Sequence, residues 1–207
     1  MNAAPSTDPK PVLTVAPVAL WRIAATLMQT LYGLFGNPED VAAQHTFLKR
    51  EYLLVRTWLR VAEALLRRLL ILEAAAFAKP PPPRPRPARR RVRKLRYFYP
   101  EKPQDWRVSF RCFSPARRNS SPACGARPAP KRFTDAWPLA ERYEAILRVF
   151  NNPIPYARRL AKRLYAQPQR RNEVMRAPAD AHHKIGGEDW AELTALCEST
   201  RCFADSS

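Results

Sequence analysis

Apolar residues recur at helical spacing over Val18–Phe35, and polar residues form the opposite stripe. Pro17 and Gly36 stand where a helix is expected to start and to be capped. The pattern therefore predicts an amphipathic helix. A stretch of this length also approaches a membrane span, but Gln29 near its middle and Arg22 favour the amphipathic interpretation.

A second, longer helix is predicted to continue to about residue 78. Asn37 and Pro38 suit a helix start. Apolar residues then repeat every seven positions, at Val41, Leu48, Val55, Ala62 and Leu69. About forty residues would extend roughly 60 Å. The register is imperfect, because His45 and Glu73 fall on the apolar stripe. The short connection after the first helix predicts an antiparallel helical hairpin.

The far half of this hairpin presents an apolar face that the first helix is expected to leave bare beyond about residue 56. This Leu59–Leu72 face contains Leu59, Leu65, Leu66, Leu69, Leu70 and Leu72. Soluble monomers rarely expose such a patch. We therefore expect it to be covered by residues 138–165 of the same chain, by a second protomer in a homodimer, or by another protein.

Later segments differ from the hairpin in pattern. Alternating apolar and polar residues from Trp106 to Cys112 predict one strand. Helical periodicity returns at about 139–150, after the sequence NNP at 151–153, and from Glu188 to Ser199. The predicted fold class is mostly α: a long antiparallel helical hairpin and C-terminal helices, separated by a basic Pro/Arg-rich disordered segment and one short strand-like stretch.

These patterns divide the chain into six predicted regions. They are a flexible N-terminus (1–17), the helical hairpin (18–78), a basic Pro/Arg-rich linker (79–96), an extended arm (97–113), a second linker (114–132) and a C-terminal helical region (133–207).

Charge changes this picture, because nearly all of the net +18 lies in one segment. Residues 79–132 hold seventeen Lys and Arg against two Asp and Glu, a net +15, and twelve of the 22 prolines. Residues 79–96 have few large apolar side chains to offset the entropy of ordering, so we expect them to be disordered or extended as polyproline II.

The basic tract, residues 79–96, is the strongest functional signal in the sequence. Guanidinium groups match phosphate geometry, and prolines keep successive side chains extended along a polyanion. The predicted contacts are Arg84, Arg86, Arg89, Arg90, Arg91, Arg93, Lys94 and Arg96. Aromatic residues beyond the tract are candidates for base stacking, namely Tyr97, Tyr99 and Trp106. The tract also fits a solvated linker, or a ligand for an aromatic-lined groove that binds polyproline.

A second cationic surface is predicted on the helix after the NNP sequence, at Arg158, Arg159, Lys162 and Arg163. Two helices joined by so short a turn are compatible with a helix-turn-helix. Base-reading Asn and Gln are missing from this helix, so contacts would be mainly to phosphates.

Signals for catalysis or metal binding are weak. Five glycines form neither a dinucleotide-binding turn nor a P-loop. His182, His183, Cys197 and Cys202 have zinc-binding atoms, but the cysteine spacing is wider than usual. Glu141 and Glu144 are best explained as part of a solvated helix face. We predict no cofactor, no metal site and free thiols.

The N-terminus lacks the basic start of a signal peptide, which predicts a cytoplasmic protein. The function expected from these features is non-enzymatic binding of a polyanion, most readily nucleic acid, without sequence specificity. Two alternatives stay open: a helical scaffold that binds protein through the Leu59–Leu72 face, and a peripheral protein on an anionic membrane surface.

Overall fold

The computed structural model describes residues 16–79, 102–113 and 132–200. Their elements, in chain order, are α1 (Val18–Phe35), α2 (Pro38–Ala43), β1 (Thr46–Leu48), α3 (Lys49–Ala75), β2 (Phe133–Asp135), α4 (Trp137–Asn151), α5 (Ile154–Ala166), α6 (Arg171–Val174), α7 (Ala181–Ile185) and α8 (Gly187–Ser199). The predicted mostly α fold is confirmed. The predicted disordered residues 79–96 lie outside the described ranges except for Lys79.

The first predicted helix is confirmed at both ends. Helix α1 starts after Pro17 and ends at Phe35. The next residue, Gly36, has a φ of 71°, the left-handed conformation that glycine adopts without strain. The backbone N–H of Gly36 donates to the carbonyl of Tyr32 at 2.8 Å, which satisfies one of the last helical acceptors. The apolar face of α1 is buried against α3.

The single long helix predicted after Pro38 is wrong, because the chain leaves the helical conformation near His45. This residue has a φ of 55°, and β1 follows it directly. Strand β1 pairs antiparallel with β2, with Phe47 opposite Thr134. Long-range strand pairing therefore replaces helical hydrogen bonds at this point. Helix α3 then starts anew, with the carboxylate of Glu51 accepting from the backbone N–H of Leu48 at 3.1 Å.

The expectation that α1 covers only the near half of the second helix is also wrong. The backbone N–H of Ala16 and the indole N–H of Trp21 donate to Glu73 near the end of α3, at 3.3 and 3.2 Å. The reason is the connection: α2 and β1 separate the two helices by the residues between Phe35 and Lys49, so α1 is not tied to the first turns of α3. The start of α1 meets the end of α3, as in an antiparallel pair.

The Leu59–Leu72 face is buried by other helices of the same chain. Its leucines are all at most 5% exposed. Helices α1, α4, α5 and α8 all pack against α3. Of the predicted alternatives, coverage by later residues of the chain is the one that the structure contains.

The strand predicted at 106–112 is absent from the described residues 102–113, which contain a short 3-10 turn at Pro103–Asp105 and then irregular backbone. The guanidinium of Arg148 fixes the turn by donating to the carbonyls of Pro103 and Gln104. We call residues 102–113 the arm. The apolar and polar alternation instead reflects an irregular segment with one side packed on the core.

Glu73 provides a test of how α1 is held, because this residue is only 2% exposed and accepts hydrogen bonds from the start of α1. Replacing Glu73 by Ala leaves the donors of Ala16 and Trp21 without this acceptor, so we expect the free energy of unfolding to fall by about 2–4 kcal/mol. Urea denaturation followed by circular dichroism measures the change.

The matched control is Glu192→Ala, at an exposed position of α8. We expect it to change the free energy of unfolding by less than about 0.5 kcal/mol. Equal stabilities for the Glu73 and Glu192 variants would show that the buried carboxylate does not anchor α1.

Candidate polyanion interface

The cationic surface predicted on the helix after the NNP sequence lies on the solvent side of α5. Ala157, Leu160 and Leu164 are buried on the opposite side, where α5 packs against α3. The four cations are at positions 158, 159, 162 and 163, so they lie on one stripe along the helix surface. The α5 basic face comprises Arg158, Arg159, Lys162 and Arg163, all of them exposed. None of the four forms an ion pair with a carboxylate of the described residues.

Aromatic rings hold three of these guanidinium groups in place. Measured from the guanidinium carbon to the ring centroid, Arg158 lies 5.5 Å from Phe77 and Arg159 lies 5.0 Å from Tyr156. Arg163 lies 5.7 Å from Phe113. A guanidinium over an aromatic ring keeps its in-plane N–H groups available. The side chains are therefore partly ordered while their donors stay accessible to a ligand.

The chain enters the basic tract beside this face. The hydroxyl of Tyr165 on α5 donates to the carbonyl of Phe77 at 2.9 Å, and Lys79 follows at an exposed position. The predicted contacts from Arg84 to Arg96, with Tyr97 and Tyr99, lie outside the described residues. The described residues therefore include the point where the basic tract joins the helices, and this point lies beside Arg158.

The arm brings further cations close to α5. Its Phe110 ring contacts Tyr156 edge to face, with centroids 6.4 Å apart. Arg107 and Arg111 are exposed on the arm.

Trp106 is only 3% exposed and lies 4.7 Å from Trp137, centroid to centroid. Its prediction as a base-stacking residue is therefore corrected: the ring is a core contact that fixes the start of the arm.

A cleft of about 520 Å³ opens between the arm and helices α3 and α4. We call it the arm cleft. Its charged lining residues are Glu63, Arg67, Arg107, Arg111, Glu141 and Arg142. Arg142 donates through two nitrogens to the two carboxylate oxygens of Glu63, both at 2.8 Å. Burial alone would lower the pKa of Arg142, but the hydrogen bonds and charge of Glu63 outweigh it and raise that pKa.

Arg67 has a different environment in the same cleft. Its Nη2 makes one long hydrogen bond of 3.4 Å to the carbonyl of Arg176. Its Nε is buried without a hydrogen-bond partner among the described residues. Burial lowers the pKa of Arg67, against the opposing charge of Glu63. The cleft thus holds a guanidinium whose hydrogen-bonding capacity is incompletely used.

The weaker chemical signals of the sequence do not assemble into a site. His182 and His183 are exposed, whereas Cys197 is buried and its thiol donates to the carbonyl of Arg68. Cys202 lies outside the described residues, within which no cluster of three potential metal ligands occurs. Glu144 is paired with Arg148 at 2.6 Å. Glu141 faces the arm cleft instead.

Sequence reasoning missed the arm cleft, because its walls come from three distant segments. One local signal was present: Arg67 and Arg68 interrupt the apolar run of α3. Two consecutive cations in a helix that is otherwise buried indicate local openings or special partners. Arg68 has such a partner in Trp190, whose ring centroid lies 4.0 Å from its guanidinium.

Within the described ranges, one helical stretch, Val18–Ala43, would be long and apolar enough to cross a membrane. A core helix passes the same test, and α1 contributes Leu20, Leu27 and Leu31 to the core.

Comparison of the chain with protein-family models, curated proteins and solved structures finds no match.

Cys112 on the arm reports how closely the arm packs. Burial raises the pKa of its thiol from 9.0 to about 11, despite the nearby charges of Arg67, Arg163 and Arg159. At pH 8 the thiolate should be roughly a hundredfold rarer than in the unfolded chain. We expect iodoacetamide to alkylate Cys112 correspondingly more slowly in the folded protein, with a rate that still rises tenfold per pH unit up to about pH 10. Peptide mapping by mass spectrometry follows this residue alone.

The same cysteine in urea is the control, and its alkylation rate should level off above about pH 9. A rate in the folded protein that also levels off there would mean that the arm does not bury Cys112.

Proposed function

We propose that this protein is a non-enzymatic polyanion-binding protein, and that its ligand is nucleic acid bound without sequence specificity. The observation that carries the proposal is the α5 basic face: four exposed cations without a carboxylate partner among the described residues, beside the point where the basic tract begins. A fixed cationic surface joined to a longer cationic segment suits a polymer of phosphates.

We base the proposed lack of sequence specificity on the residue types of this face. Its four side chains are cations that suit phosphate oxygens, and none is an Asn or Gln able to read an adenine edge. Helices α4 and α5 are joined through Asn152 and Pro153. Arginine can also contact a guanine edge in a major groove, so the comparison of unrelated sequences described below tests this part of the proposal.

The contacts with aromatic rings favour phosphate binding by lowering its entropic cost. Unpaired surface arginines are flexible, and holding them costs side-chain entropy at binding. Contacts with Phe77, Tyr156 and Phe113 restrict them beforehand. Binding of phosphates therefore costs less side-chain entropy.

An anionic membrane surface is the second candidate, favoured by the apolar side chains that α1 leaves exposed. Val18, Tyr32 and Leu34 are each more than half exposed. A helix lying on anionic lipid would combine such residues with nearby cations. The protein-scaffold alternative was based on a bare Leu59–Leu72 face, and that face is covered within the chain.

Fluorescence-anisotropy titrations over a range of salt concentrations test the nucleic acid proposal. If about six cations reach phosphates of a scrambled DNA duplex, log K should fall with log salt at a slope near minus five. We expect the combined variant Arg158→Gln, Arg159→Gln, Lys162→Gln and Arg163→Gln to flatten that slope by about three units, equally for unrelated sequences. Arg89→Gln, Arg90→Gln and Arg91→Gln together measure the contribution of the tract.

A charge-matched control replaces four exposed cations of α3, Lys49, Arg50, Arg56 and Arg60, by Gln. It lowers the net charge equally, so a slope change of similar size would show that total charge, rather than the α5 basic face, governs binding. Absence of binding to DNA and RNA at low salt would contradict the proposal. Binding only to anionic vesicles would favour the membrane candidate.

A further inference from the structure

The arm cleft retains positive charge after its internal ion pair is counted. Glu63 and Arg142 neutralise each other. The remaining charged residues are Arg67, Arg107 and Arg111 against Glu141, and none of these four forms an ion pair within the described part of the chain. The cleft therefore has a surplus of two positive charges, which favours an occupant with an anionic group.

The cleft is nevertheless too mixed for a simple inorganic anion. Val108, Phe110 and Phe113 contribute apolar and aromatic surface, and its volume of about 520 Å³ is typical of small-molecule sites. The Glu141 carboxylate would repel a bare anion, but it can accept hydrogen bonds from hydroxyl or amino groups. A suitable ligand therefore combines a phosphate, hydrogen-bond donors and a flat apolar part.

We propose that the arm cleft binds one nucleoside monophosphate unit. Arg67 and Arg111 contact its phosphate, Phe110 provides a surface for its base, and Glu141 accepts from a sugar hydroxyl or an exocyclic amino group.

The cleft adjoins the α5 basic face through the contact of Phe110 with Tyr156. A strand bound on α5 can thus place one nucleotide in the cleft, and in this form the inference rests on the proposed function. A free nucleotide offers the same chemistry.

Isothermal titration calorimetry with adenosine 5′-monophosphate (AMP) tests the cleft directly. We expect AMP to bind the wild-type protein, and adenosine and inorganic phosphate each to bind at least about tenfold more weakly, because each lacks part of the ligand. Arg111→Gln should weaken AMP binding about five- to tenfold. Arg111 is exposed, so folding should be unaffected, which circular dichroism verifies.

Arg22→Gln is the matched control, because Arg22 is an exposed arginine of α1 that does not line the cleft. It should leave AMP affinity within about twofold of wild type. Equal AMP affinities for the Arg111 and Arg22 variants would overturn the assignment to the cleft. Inorganic phosphate binding as tightly as AMP would overturn the nucleotide identity.

Two further experiments distinguish this inference from the proposed function. A variant with only Arg158, Arg159 and Lys162 replaced by Gln should lose oligonucleotide affinity but keep AMP affinity. These three cations do not line the cleft, and Arg163, which lies over the cleft residue Phe113, is left in place. Displacement of AMP by an oligonucleotide assigns the cleft to a nucleotide of the bound strand, and independent binding assigns it to a free nucleotide. No binding of AMP to the wild-type protein overturns the inference, while the salt titrations still decide the proposed function.

Discussion

The fold depends on burying the later part of α3 on every side. Between Val61 and Ala74 almost every side chain is buried, including Arg68 and Glu73. A helix that is apolar around its whole circumference is stable in water only when other elements enclose it. Helices α1, α4, α5 and α8 provide that enclosure. Its two buried charged residues have specific contacts: Glu73 accepts from Trp21, and Arg68 stacks on Trp190, although burial lowers the pKa of Arg68 to about 10.

This arrangement also determines which surfaces face solvent. Because α5 packs on α3 through Leu160 and Leu164, the four cations between and beside them face outward. The arm lies alongside, fixed at one end by Trp106 and Arg148 and at the other by the Phe113 ring. The proposed polymer-binding face and the proposed nucleotide cleft are therefore neighbours, joined by the contact of Phe110 with Tyr156 and by the position of Arg163 over the Phe113 ring. Both proposals follow from charge that the core leaves exposed rather than from a catalytic constellation.

The sequence predicted local helical structure well and long-range pairing poorly. Helices α1, α4, α5 and α8 follow from apolar periodicity that each segment carries by itself. The break at His45 depends on β1 meeting β2, about ninety positions further along the chain, and only an imperfect register indicated it. The alternation in the arm resembled a strand, although its alternate residues contact Trp137 and Tyr156 without forming a ladder. The α5 basic face was predicted because one helix forms it, whereas the arm cleft was not, because three segments do.

Hydrogen exchange measured by mass spectrometry, with and without a DNA oligonucleotide at low salt, tests the central claim most directly. The account predicts that amides of residues 61–74 exchange most slowly in both samples, because every surrounding helix must open before they are exposed. It predicts added protection by DNA on α5 and the arm, with α3 unchanged. Fast exchange of residues 61–74 would contradict the enclosed helix, and DNA protection confined to α1 or α8 would contradict the assignment of the binding face.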